Sequence, residues 1–308
     1  MAGSTAILIG NFDGVHRGHR ELIRAARISV GDAGRVIVLA FEPHPSTVLR
    51  PEAVPPRLTT SARRRSDLEE AGVDEVVEME PTPDFLNQSP EEFVSWVVDR
   101  FSPSVIVEGA DFRFGRNREG TIDLLRSLGE RDQFEVIVVD SVVHDHPDGQ
   151  SVEVHSAAIR ALLSAGDVRN AAMMLGRPWA IEGQVVQGDQ RGRDLGCPTA
   201  NIDHGDLILP QDGIYAGIAV LPDGTRRLGA ISIGVKPTFD AVPRVCEVHL
   251  LDHDGELDDY GWPLQVCIEH RLRDQVHYDS IDLLTAQIER DIQQVRHLLA
   301  DGAGPPAP

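Results

Sequence analysis

A doubly wound α/β domain followed by a small antiparallel β-barrel is the architecture this sequence predicts, and three patterns predict it. Through the first half, short runs rich in β-branched residues alternate with helix-like stretches. From "LGRPW" (175–179) onward, strand signals come close together, with turn signals between them. One long amphipathic stretch then follows.

The first-half runs are TAILI (5–9), VIVLAF (36–41), SVIVE (104–108) and EVIVVD (135–140). Each is apolar at successive positions, as a strand covered by helices on both faces must be, so they read as buried parallel strands. Helices are predicted at 18–29, 61–71, 90–101 and 119–130, and a helical stretch over 156–175 closes the domain. The barrel strands are WAIEGQVV (179–186), GIYAGIAVL (213–221), RRLGAISIG (226–234), RVCEVHLLD (244–252) and LQVCIEHRL (264–272). Between two of them, LPDGTR (221–226) marks a hairpin, because Asp-Gly tolerates the positive φ of a tight turn. In the last stretch Ile281, Leu284, Ile288, Ile292 and Val295 share one helical face, expected to pack on the barrel, with Ser280 as N-cap. The domains are therefore 1–175 and 176–300, with DGAGPPAP (301–308) expected as a disordered tail.

Composition narrows the function classes. The 308 residues suffice for two cores. A net charge of −20 opposes binding to nucleic acid or an anionic membrane, although backbone N–H groups and a few arginines still suit a small nucleotide. No apolar run is long enough to span a bilayer, and the first residues carry neither a basic n-region nor a long apolar one, so the expectation is a cytoplasmic protein. Cys197, Cys246 and Cys267 are too widely spaced for a disulfide framework or a zinc site, and are expected to be small reduced core residues.

Two stretches carry chemistry. In GNFDGVHRGHRELI (10–23), Asn11 to Gly18 form the loop after the first strand. Ligands bind at the carboxyl ends of such strands, and the following helix aims its free N–H groups at the same place, which suits phosphate. Gly14 and Gly18 permit close backbone approach, and His16 and His19 can face one phosphate and donate to it as charge grows. The same residues also fit a plain βα turn with two exposed histidines. In RGRDLGCPTAN (191–201), Thr199 and Asn201 point the same way on an extended segment and offer two oxygens to a hard cation such as Mg²⁺. A structural turn fits that stretch as well. In VCEVHLL, alternation sets Glu247 with Val245 and His249, opposite Cys246 and Val248.

These segments, taken in order, resemble the bacterial bifunctional riboflavin kinase/FAD synthetase family. GNFDGVHRGH (10–19), FEPHP (41–45), VEGADFRFGRNREG (107–120) and LLSAGDVRNAAMMLGRPW (162–179) resemble its adenylyltransferase half and the link that follows. GRDLGCPTAN (192–201), GIYAG (213–217), SIGVKPTF (232–239), EVHLLD (247–252), DYG (259–261) and HRLRDQVHYDS (270–280) resemble its kinase half. The resemblance implies that riboflavin plus ATP gives FMN, and FMN plus ATP gives FAD with release of pyrophosphate, with Mg²⁺ serving both steps. It implies that His16 and His19 stabilise adenylyl transfer, that Gly10, Asn11, Phe12, Asp13, Gly14 and Gly18 shape the nucleotide loop, and that Ser156 and Arg160 hold phosphates. Asp111, Phe112 and Arg113 would lie near the flavin or nucleotide, with a turn cap or core packing as the alternative reading. On the kinase side Glu247 would be the catalytic carboxylate, Thr199 and Asn201 the Mg²⁺ ligands, Gly192 and Gly196 phosphate contacts, and Arg271 and Arg273 part of the flavin site. Three departures stand out: HSAAIR (155–160) where the family usually has SSTxIR, VKPTF (235–239) where it commonly has TNPTF, and DYG for LYG. The first keeps open a kinase with weakened adenylyl transfer. A non-catalytic flavin sensor is a third reading, against which Thr199, Asn201 and Glu247 occur together.

Overall fold

The computed structural model describes residues 4–145, 149, 151–188, 197–235, 244–253 and 260–299. The predicted tail at 301–308, Gly192, Gly196 and Lys236 of the VKPTF segment lie outside the described residues. The chain forms two compact units, Met1–Pro56 with Thr60–Ser156, and Arg57–Thr59 with Ala157–Pro308.

The first unit is the predicted doubly wound domain. Strands β1 (Thr5–Gly10), β2 (Arg35–Phe41), β3 (Glu75–Met79), β4 (Val105–Gly109) and β5 (Glu135–Val139) make a parallel sheet in the order β3-β2-β1-β4-β5. Its helices are α1 (Arg17–Val30), α2 (Ser46–Leu49), α3 (Ser61–Glu70), α4 (Pro83–Leu86), α5 (Pro90–Phe101) and α6 (Ile122–Asp132). Alternation along each strand sorts the apolar runs onto two faces. Ala6, Leu8, Val36, Val38 and Val107 pack with Ile23 and Ala26 of α1 and Leu68 of α3. Ile7, Ile9, Ile37, Leu39 and Ile106 pack with Phe93 and Val97 of α5 and Leu125 and Leu128 of α6. Strand β3 is absent from the sequence reading, and its place explains why. It lies at the sheet edge, where only Val76 and Met79 are buried, so glutamates interrupt the apolar run. A short hairpin, β6 (Val143–Asp145) and β7 (Ser151–Glu153), is also additional.

The second unit opens with two helices, α7 (Ser156–Ser164) and α8 (Val168–Leu175), where one helical stretch is predicted over 156–175. The break is local: Gly166 takes φ +76°, and the Asp167 side chain caps α8 by accepting from Asn170 N–H. Because α8 lies against β8 (Trp179–Val186) and β13 (Pro263–Arg273), the division between the units falls earlier than residue 175. With β9 (Ala200–Asp203), β10 (Gly213–Val220), β11 (Arg226–Val235) and β12 (Arg244–Leu250), these strands close a barrel in the order β10-β11-β12-β9-β8-β13. The 221–226 hairpin is as predicted: Gly224 takes φ +81° and the Asp223 side chain accepts from Thr225 N–H at 2.8 Å.

Helix α9 (Ile281–Leu299) packs on the barrel through Ile292, Val295 and Leu299, against Ala216, Ile218, Leu228 and Leu272. Ser280 Oγ accepts from Leu283 N–H, as an N-cap does. Ile281 departs from the predicted face: it is 69% exposed, because the packing begins a turn later. None of the three cysteines forms a disulfide, but only Cys246 is buried; Cys197 and Cys267 are half-buried rather than core residues. Among the described residues, no helix is long and apolar enough to cross a membrane.

Candidate functional site

The loop after β1 departs from a relaxed turn. Phe12 and Val15, neither of them glycine, take φ +50° and +40°, with Gly14 at +87° between them. Positive φ at a β-branched residue is strained and is held only where the surroundings over-determine it. Here they do. Val15 and Phe12 are almost fully buried in the core, and the Phe12 ring lies 4.9 Å from the His19 ring. Phe12 therefore packs the loop from beneath.

His16 caps α1, its Nδ1 accepting from His19 N–H at 3.4 Å. The two imidazoles stack with centroids 3.6 Å apart and planes inclined by 19°. Sequence spacing thus brings both rings to one point, as predicted, but neither is an exposed turn histidine. His16 is 5% exposed, and His19 Nδ1 is buried without a partner. Burial first, and the charge of His16 second, hold His19 well below the usual imidazole range, so its ring is neutral near pH 7.

The rest of the loop is braced from several sides. Arg64 on α3 is 6% exposed and donates to the carbonyls of Asn11 and Phe41 and to the Glu42 carboxylate, at 2.8–3.1 Å. The Asn11 amide lies 3.1 Å from His44 Nε2. His44 Nδ1 accepts from Ser46 N–H. The Asn11 Oδ1 is buried with no partner. Gly18 sits close under the His16 ring and the Val154 carbonyl, where a side chain would be crowded.

Ser156 Oγ donates to the Asp13 carbonyl at 2.8 Å, and Asp13 is itself buried. Ser156 is thus a brace for the loop, whereas the sequence reading has it holding phosphate directly. Arg160 falls in the second unit. At the end of β4, Asp111 and Arg113 are exposed, while Phe112 is half-buried and stacks on buried Phe114 at 5.5 Å. The core-packing alternative is therefore realised for Phe112 on at least one face. Among the described residues, no cluster of three or more His, Cys, Asp or Glu residues suits a metal ion.

Sequence reasoning missed Arg64, His44 as a partner of Asn11, and Glu108. The last had a legible signal, an acidic residue ending an apolar run. Glu108 is 3% exposed, and its Oε1 accepts from Ile9 N–H at 2.7 Å. Burial raises its carboxyl well above the ordinary range; the Ile9 bond opposes this and the Asp111 charge adds to it.

In the barrel, register assembles the second site. Glu247 on β12 stands opposite Asn201 on β9 and opposite Ser232 on β11. The predicted alternation holds: Cys246, Val248 and Leu250 fill the interior, while Val245, Glu247 and His249 are half-exposed on the outside. Glu247 is thus not a buried carboxylate. Asn201 is 8% exposed, and Gly188 runs so close to it that a β-carbon there would collide with the Asn201 amide. His249 Nδ1 lies 2.9 Å from the Pro198 carbonyl and donates to it, which pins the segment carrying Thr199. Burial, helped by the Glu247 charge, pushes the Cys246 thiol up to about 12, so it is inert.

Arg271 and Arg273 are engaged elsewhere. Arg273 makes a fork-to-fork pair with buried Asp291 of α9, at 2.6–3.1 Å, and so ties the terminal helix to β13 rather than facing outward for a flavin. Arg271 bonds Asp274 and the Asp212 carbonyl through Nη2, and its buried Nε has no partner.

A parallel α/β unit with two imidazoles stacked at a helix mouth, joined to a barrel bearing hydroxyl, amide and carboxylate oxygens on one face, defines a two-part phosphate-transferring enzyme. Comparison with known proteins is more particular. Residues 2–153 match the family model described as FAD synthetase, and residues 175–299 match that described as riboflavin kinase. The chain is 36% identical over 292 residues, 92% of its length and 90% of the other's, to the bifunctional riboflavin kinase/FMN adenylyltransferase of Escherichia coli. It is 35% identical to the protein of the same description from Pseudomonas fluorescens, covering 96% of this chain and 93% of that one. A crystal structure titled macrolide-efflux protein from Streptococcus pneumoniae superposes with a TM-score of 0.85 at 29% identity, covering 96% of this chain and 95% of that one. The chain belongs to the bifunctional riboflavin kinase/FAD synthetase family.

Proposed function

We propose that the two sites carry out the two steps in turn: riboflavin is phosphorylated by ATP on the outer face of the barrel, and FMN is adenylylated by ATP at the histidine loop, releasing pyrophosphate. The observation that carries this reading is the stacked His16–His19 pair, set at the mouth of a helix that His16 caps and whose first N–H groups face the same loop.

In adenylyl transfer, an FMN phosphate oxygen attacks the α-phosphorus of ATP as the bond to pyrophosphate breaks. Charge grows on the non-bridging oxygens, and preorganised donors lower the barrier most when water is excluded. A neutral His19 supplies an N–H donor without the desolvation cost of an imidazolium. Ser156, Arg64 and Gly18 hold the loop. Asp13, Gly10 and Gly14 shape it, and Asp111, Phe112 and Arg113 border the flavin.

In the kinase step, Glu247 accepts the proton of the ribityl 5′-hydroxyl as that oxygen attacks the γ-phosphorus of ATP. Thr199 and Asn201 suit Mg²⁺: their donors are oxygens, they sit beside Glu247, and the Gly188 backbone leaves the Asn201 amide a cradle that no side chain fills. When bound there, the ion would neutralise phosphate charge. The functional halves are 1–175 and 176–300, and the enzyme works in the cytoplasm on small molecules.

One time course tests the whole. The purified chain is mixed with riboflavin, ATP and Mg²⁺, and FMN and FAD are separated by chromatography. FMN that rises and then yields to FAD supports both sites and makes HSAAIR a tolerated variation. FMN that accumulates without FAD removes the adenylyltransferase half of the proposal.

A further inference from the structure

We infer that Glu108 is a positioning residue for adenylyl transfer: its carboxyl replaces the missing strand partner of Ile9 where β1 and β4 part, and so holds the turn that presents His16 and His19. The inference rests on the reading of the histidine loop as the transfer site.

Strand β1 keeps register with β2 along its whole length, from Thr5 to Gly10, but with β4 only at Ala6 and Ile7. The order β3-β2-β1-β4-β5 reverses between β1 and β4, and separation of the strands there opens the crevice that takes ligands in such sheets. Separation has a cost. A central strand has neighbours on both sides, and a buried N–H turned toward the gap is left bare unless something replaces the lost acceptor. Ile9 is 6% exposed, and its N–H is satisfied by Glu108 Oε1 at 2.7 Å. The side chain of one strand stands in for the backbone that has moved away.

The chemistry of Glu108 suits this task. It makes no ion pair among the described residues, and the charge that acts on it is that of Asp111, another acid. Burial raises its carboxyl well above the ordinary range, and its Oε1 accepts from Ile9 as an amide oxygen would. An aliphatic residue in its place leaves the Ile9 N–H without a partner or draws β1 and β4 together. Either outcome reaches the catalytic groups within a few residues. Ile9 runs directly into Gly10 and Asn11, the Asn11 carbonyl is held by Arg64, and the Phe12 ring lies on His19. The histidines donate in the transition state, so a displaced turn slows turnover more than it weakens substrate binding.

The test uses the full chain and two variants, Glu108→Val and Glu108→Gln. FAD formation from FMN and ATP is measured, with riboflavin phosphorylation by the same preparation as an internal reference. Glu108→Val is expected to lower kcat for FAD formation at least tenfold, with KM for ATP and FMN within threefold and the kinase rate within twofold. Glu108→Gln, which keeps an acceptor for Ile9, is expected to stay within threefold of the parent in kcat. The inference is overturned if Glu108→Val keeps kcat within twofold, if the glutamine variant is as slow as the valine one, or if Glu108→Val unfolds the first unit, since Glu108 then serves the fold rather than the turn. A His16→Ala/His19→Ala chain that still makes FAD would instead sink the site reading, whatever Glu108 does.

Discussion

In the first unit the site is one continuous loop, Gly10 to His19, strained in its backbone at Phe12 and Val15 and buried from Phe12 to His16. In the second it is gathered from β9, β11 and β12, far apart in sequence and half-open on the outside of a barrel. Strain concentrates where donors must be fixed before the substrate arrives, and neighbours on every side hold it in place: Arg64, Ser156 and Phe12. The barrel site needs no strained turn, because antiparallel register already sets Glu247 beside Asn201. The contrast predicts that the loop depends on its braces and the barrel face on its own donors.

The largest effects should separate the two sites cleanly. His16→Ala/His19→Ala is expected to slow FAD formation from FMN by roughly 10³-fold, as loss of preorganised donors does, while riboflavin phosphorylation stays within twofold. Glu247→Gln is the mirror experiment: a loss of roughly 10²–10⁴ in FMN formation, with FAD formation from added FMN unchanged. Both rates falling together in either variant would break the comparison.

Next comes a structural distinction. Asp291→Ala leaves the Arg273 guanidinium half of a largely buried pair and should cost about 3 kcal/mol in the second unit, read as a lower midpoint in urea. The histidine loop should be indifferent to it.

The smallest effects concern pH and fall on the first unit. His19 has a depressed folded pKa, so its contribution is present above the unfolded value near pH 6.5 and is lost as pH falls below it. Glu108 has a raised pKa, so the folded state loses stability as pH rises above the unfolded value of about 4.3. Glu108→Gln should therefore raise the thermal midpoint of the first unit more at pH 8 than at pH 5. Equal shifts at both values would mean that burial and Asp111 do not raise the Glu108 carboxyl above its ordinary range.

Legibility in the sequence followed the kind of signal. The inner strands were readable because strands covered on both faces are apolar throughout, and edge strand β3 was not, because Glu75 and Glu78 need no cover. His16, His19, Thr199, Asn201 and Glu247 were readable as clustered or alternating polar residues. Arg64 was hidden in an ordinary run of arginines, since nothing local distinguishes a guanidinium that reaches across to another loop. At Arg271 and Arg273 alternation could not show that Asp274 and Asp291, beyond the strand or more distant in sequence, pair with the guanidinium groups.

Residues Arg57–Thr59 lie between α2 and α3 in sequence yet belong to the barrel unit. Arg57 bridges Leu207, and the Leu58 carbonyl accepts from the Nε1 of fully buried Trp179 at 2.9 Å. On a ribosome these residues emerge long before their partners, so the barrel's last polar seam closes only after about 150 further residues have been made. A barrel expressed alone from residue 157 would begin life without that seam, its tryptophan N–H sealed against an empty place.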